Sequence, residues 1–171
     1  EYYYIDKTMM IKEFIDERPL VTLFTRPRRF GKTLNMDMLR TFFEKTTEDT
    51  SVYFRDKKIW SCGEAYLAHH RKYPVIFLSF KDVKYTSWEE TYQTLQKLIA
   101  QEFRRHDELA SSPALSDYEK EEYSLLATEA ADEVEYQMSL RTLTLFLHKH
   151  RGVAPIVIID EYDTPIQQGH V

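Results

Sequence analysis

The sequence predicts an α/β fold, a parallel sheet with helices on both faces. Three observations predict it. An apolar run at 20–25, LVTLFT, leads through a loop into a helical pattern that begins near residue 32. Two further runs, PVIFLSF at 74–80 and Ile156 to Ile159, have the continuous hydrophobicity of strands buried on both faces. Helical periods fill the intervals between the runs, and that alternation favours a parallel sheet over hairpins.

The elements follow in chain order. Residues 8–18 place Ile11, Phe14 and Ile15 on one helical face, and Arg18-Pro19 ends the pattern. The strand at 20–25 and a helix at about 32–45 frame a loop. The polar stretch TTEDTS comes next, and YFRDKKIW fits neither period. GEAYLAHHRKY, 63–73, reads as a short helix before the strand at 74–80. Trp88 to about Arg105 reads as a long helix, with Thr91, Leu95, Leu98 and Ile99 recurring at helical spacing. Ser112-Pro113 marks a break. Residues 117 to about 134 read as one acidic helix with a solvated face. Ser139 is placed to cap a further helix, LRTLTLFLHKH, which Arg151-Gly152 ends.

Composition excludes several classes. With 171 residues, 43% of them apolar, the chain can bury a core of its own. No apolar stretch approaches the ~18 residues of a membrane span, and EYYYIDK lacks the pattern of a signal peptide. Cys62 is the only cysteine, which removes an internal disulfide and suits a reducing cytoplasm. The net charge of −5 gives no global basic field for nucleic acid. The histidines do not have metal-ligand spacing: His69-His70 are adjacent, and His148 and His150 stand near a helix end.

The chemistry is concentrated at two strand ends. The loop after the first strand closes with Gly31-Lys32-Thr33 and opens into a helix. That is the layout of a phosphate-binding loop, in which free N–H groups and the helix dipole favour an anion. Arg28, Arg29, Phe30, Gly31, Lys32, Thr33 and Leu34 would line the phosphates. Lys32 would reach the β/γ-phosphates, and the Thr33 hydroxyl would ligate Mg²⁺. The general pattern has glycine where this chain has Arg26, followed by Pro27. Arg26, Arg28 and Arg29 bring positive charge to the loop, for a triphosphate or for nearby carboxylates. The third strand ends in Asp160-Glu161, the form of a Walker B strand. Asp160 would hold Mg²⁺ opposite Thr33, and Glu161 would orient or deprotonate the attacking water. Asp163 stands close enough in sequence to pair or to approach the metal. Asp6 or Thr8 is placed to cap the first helix, with a flanking role at the nucleotide as the sharper reading.

These segments resemble the AAA-ATPase-like domain family of bacterial and archaeal proteins. The resemblance is carried by YYYIDKTMMIKEFID at 2–16, LFTRPRRFGKTLNMDML at 23–39, YPVIFLSFKD at 73–82 and IVIIDEYDTPI at 156–166. It covers the chain from end to end, except for roughly 105–138, and the arginine-rich loop without its first glycine is the family's own form. It implies ATP and Mg²⁺ as ligands and an AAA-like P-loop core. Members are commonly fused to a C-terminal nuclease-like domain, which would be the partner within a longer protein. On this reading residues 1–171 are one nucleotide-binding domain, with a helical lead-in at 1–19 and a P-loop to Walker B core at 20–171. The additional-strand order 5-1-4-3-2 would separate the first strand from the Asp160 strand by one that comes later in sequence. The chain is therefore expected to be the N-terminal part of a longer protein with an incomplete core.

The expected function is Mg²⁺-dependent ATP hydrolysis, with Lys32 and Glu161 catalytic, driving a conformational change in an attached domain. A homo-oligomer supplying an arginine finger is compatible with it. Two alternatives stay open: a nucleotide-gated interaction module with little hydrolysis, and a nucleic-acid-associated effector component.

Overall fold

The computed structural model describes residues 6–17, 21–24, 32–80, 83 and 87–160, with the backbone alone at 21–24 and 32–35. Strands β1 (Val21–Phe24), β2 (Val75–Ser79) and β3 (Ile156–Asp160) form a parallel sheet in the order β1-β3-β2. The apolar runs become strands because both faces are covered. Side chains alternate along a strand, and the two sets go to different cores. Val75, Phe77, Ile156 and Ile158 face a cluster with Ile11, Met36, Leu39, Phe42 and Phe43. Ile76, Leu78, Val157 and Ile159 face a second cluster with Phe103, Leu126, Leu143 and Phe146.

The first face is covered by α1 (Met9–Glu17), α2 (Lys32–Phe43), the short α3 (Glu64–Leu67) and two 3-10 turns, Thr50–Tyr53 and Lys58–Cys62. The second is covered by α4 (Trp88–Arg105), α5 (Asp117–Ala127), α6 (Glu133–Gln137) and α7 (Ser139–Arg151), with a 3-10 turn at Asp107–Ser111. Ser87 begins α4, its side chain accepting from the Glu90 N–H. Gly152 ends α7 in the left-handed region, with φ 75°.

Three expectations need correction. The additional-strand order keeps the first strand and the Asp160 strand apart, but here β1 pairs with β3 directly, Val21 to Val157 through Phe24 to Asp160. The single acidic helix at 117–134 is two, because Glu129 takes a positive φ of 61° and Asp132 opens α6 through a capping box with Glu135. Ser139 does not cap α7. It lies inside the helix, behind Met138, and its hydroxyl donates to the Tyr136 carbonyl.

β2 is an edge strand whose outer side is occupied by side chains. Its bonds to β3 leave the backbone of Val75 and Phe77 pointing outward. Glu102 Oε2 accepts the Phe77 N–H at 2.9 Å, and Arg105 Nη2 donates to the Val75 carbonyl at 2.6 Å. The two side chains also bind each other, Arg105 Nε to Glu102 Oε1 at 2.9 Å. Arg105 Nη1 continues to Glu44 at the end of α2, at 2.5 Å. His106 joins Glu102 at 3.1 Å and faces Glu108, which Arg151 approaches at 3.3 Å. A charged fork thus replaces a fourth strand and ties α4, β2 and α2 together. Among the described residues no helix is long and apolar enough to cross a membrane.

Burial works against the charged His106 imidazole, but hydrogen bonds to Glu102 and Glu108 outweigh it and the pKa rises. Burial also opposes the Glu108 carboxylate, yet His106, a backbone N–H and Arg151 bring it down to about 2. The two groups have opposite signs. His106 contributes stability that is complete below its unfolded pKa, ~6.5, and lost as pH rises through the higher folded value. Glu108 contributes stability present above its unfolded pKa, ~4.3, and lost as pH falls toward about 2. As pH rises above about 6.5 the urea midpoint should therefore fall, and His106→Gln should flatten that fall relative to the parent. Glu102→Ala leaves the Phe77 N–H without its acceptor and takes one carboxylate each from Arg105 and His106, and should cost roughly 3–5 kcal/mol in urea unfolding.

Candidate functional site

The site is built by the register of three parallel strands. Phe24, Asp160 and Ser79 stand side by side at the carboxyl ends of β1, β3 and β2. That edge is where open α/β sheets place ligands. β1 ends at Phe24 and α2 begins at Lys32. Phe24, the last described residue before the loop expected to hold phosphate, pairs with Asp160.

Asp160 is 1% exposed. Alternation puts it on the α2 side, since Ile156 and Ile158 of the same strand face that core. Ser79 faces the same way and donates its hydroxyl to Asp160 Oδ2 at 3.3 Å. The Phe80 N–H bonds the Asp160 carbonyl at 3.0 Å, fixing the strand end. A carboxylate held at such a strand end is a hard oxygen donor of the kind that suits Mg²⁺. Ser79 escaped the sequence reading. Its only signal was a hydroxyl inside an apolar run, and its meaning depended on register.

Lys32, Thr33 and Leu34 form the first turn of α2, placed by their backbone. That turn contains no acidic residue. Four N–H groups at a helix start lack intrahelical partners, and the end carries about half a positive charge. The backbone thus offers an anion-binding end at the start of α2. Arg26, Arg28, Arg29, Phe30, Gly31, Glu161 and Asp163 lie outside the described residues.

Asp6 and Thr8 do something other than expected. Asp6 Oδ1 accepts from the Thr8 N–H and hydroxyl at 2.9 and 2.7 Å, and its Oδ2 accepts the Lys58 N–H at 2.8 Å. Thr8 Oγ1 accepts the Ile59 N–H at 3.1 Å. The pair sews the lead-in to the Lys58–Cys62 turn. The histidines also have structural partners: His70 bonds Thr50 at 3.0 Å among Phe42, Phe54 and Trp60, and His69 bonds Tyr73 at 2.6 Å. Among the described residues no group of three or more His, Cys, Asp or Glu could hold a metal.

Two clefts open away from this edge. One, of about 500 Å³, lies outside α2 between Asp37, Arg40, Glu44 and Tyr53. The other, of about 350 Å³, is apolar and lies between the second face of the sheet, α4 and α7. Asp160 lines neither of these two clefts.

A family model described as AAA-ATPase_like, Predicted AAA-ATPase, matches residues 1–170. No curated protein and no solved structure matches the chain.

Proposed function

The chain belongs to the predicted AAA-ATPase family, and from that premise we propose that it binds ATP with Mg²⁺ at the start of α2 and hydrolyses it. The observation that carries the reading is the register Phe24 to Asp160. It puts the root of the basic, glycine-lysine-threonine loop next to a buried carboxylate, with α2 beginning at Lys32. Thr33 and Asp160 would hold the magnesium, which when bound would neutralise phosphate charge. The hydroxyl and carboxylate are the hard oxygen donors that this ion takes.

The residues of the chain divide the remaining work. Backbone N–H groups of Gly31 to Leu34 hold phosphate oxygens. The Lys32 ammonium offsets charge that develops in the transition state. Arg28 and Arg29 add positive charge around the triphosphate. Glu161 follows Asp160 directly and orients the attacking water or accepts its proton. Ser79 acts through Asp160, holding its carboxylate in one orientation. The released energy would move an attached domain of a longer protein. The Arg26-Pro27 pair in place of a glycine favours a second reading, a nucleotide-gated switch that turns over slowly.

Titration calorimetry with ATP and Mg²⁺ tests the site. Lys32→Ala should weaken binding by at least about tenfold, the loss of one charge-assisted contact; unchanged affinity would remove the loop from the reading. Steady-state phosphate release separates the two functions. Glu161→Gln should retain binding while its rate drops by about 100-fold. A parent rate already equal to that of the variant would favour the switch.

A further inference from the structure

The apolar cleft on the second face of the sheet is open and rimmed by acid. Leu78 and Ile159 form its floor, and Ile99 of α4 faces Tyr136 and Leu140 across it. The apolar surface continues past the cleft. Trp88 is 71% exposed and stacks on Tyr92 with ring centroids 5.8 Å apart, and Tyr92 meets Tyr136 edge-on at 6.4 Å. Val134 and Met138, one helical turn apart beside Tyr136, are 64% and 43% exposed. The hydroxyls of Tyr92 and Tyr136 are buried and have no hydrogen-bond partner among the described residues.

One side of this surface is acidic, while Arg141 follows Leu140 in the first turn of α7. Residues 128–138 carry Glu129, Asp132, Glu133 and Glu135 and no Lys or Arg. The first turn of α4 adds Glu89 and Glu90. Burial raises the Tyr136 phenol, and Glu129 and Glu135 are among the groups that raise it further, which sets both carboxylates close to the cleft wall. Among the described residues Glu129, Asp132, Glu133 and Glu135 form no ion pair.

We propose that this cleft docks an apolar protein segment flanked by Lys and Arg, an amphipathic helix that seats large side chains against Leu78, Ile99, Leu140 and Ile159. Its cations meet the acidic rim. Charge complementarity selects this occupant. Nucleic acid and anionic membrane surfaces would be repelled by the same rim. A small molecule would leave Trp88, Val134 and Met138 uncovered, and exposed apolar surface of that kind marks protein contacts. The segment rests on Ile159, one residue before Asp160, so its docking presses on the strand end that carries the candidate site.

The test uses the whole chain without nucleotide and a synthetic helical peptide of about 14 residues, leucine on one face and lysine elsewhere. The controls are its scrambled sequence and the same peptide with glutamate for lysine. Calorimetry should show binding of the lysine peptide alone, with slowed amide exchange at 88–99 and 134–143. The double variant Glu129→Lys, Glu133→Lys changes exposed positions only. It should weaken that peptide by about tenfold and favour the glutamate peptide instead. Trp88→Ala, also at the surface, should weaken both. Equal binding of the scrambled peptide, equal preference in the charge-reversed protein, or exchange protection elsewhere would each overturn the proposal. So would an apolar dye filling the cleft without competing with the peptide, which would make it a small-molecule pocket.

Discussion

β3 has no free side, and the rest of the fold is arranged around that constraint. Both of its edges are hydrogen-bonded, to β1 and to β2, and both of its faces are covered by helices. A strand in that position must be apolar along its length, and Ile156 to Ile159 are. The same enclosure holds Asp160, the first residue where polarity is allowed, in a fixed place. A buried carboxylate is costly unless its surroundings compensate it. Its retention at a strand end, beside a Ser79 hydroxyl, is the strongest structural argument for chemistry there.

Much of this was legible in the residues. The three apolar runs became the three strands, shifted by a residue or so at each end. α4 runs from Trp88 to Arg105 as its periodicity required, and Gly152 ends α7 as a glycine after a basic last turn should. The misses share a cause. Splitting the acidic stretch needed the backbone of Glu129, and nothing in composition announces a positive φ at a glutamate. Strand order is a tertiary fact: whether β1 touches β3 depends on which edges are satisfied, and hydrophobicity does not record that.

The candidate site was suggested by the sequence in a different way. Gly31-Lys32-Thr33 and Asp160-Glu161 stand well over a hundred positions apart, and only their strand contexts joined them. Register then supplied what sequence lacked, the alignment of Phe24, Asp160 and Ser79 on one row. The fork of Glu102 and Arg105 was not legible at all. Two charged residues three apart near the end of a helix read as an ordinary exposed pair, whereas here they are folded inward against backbone.

That fork gives the sheet a handed future. With the outer amides and carbonyls of β2 already spoken for, no additional strand, from this molecule or another, can zip onto that flank without first tearing out an ion pair. Among the described residues the far border of β1 has no strand beside it. Enlargement of the platform, whether by more of the same polypeptide or by a neighbour, is thereby steered to the border of β1, so whatever joins there lies alongside the strand that pairs with the one ending at Asp160.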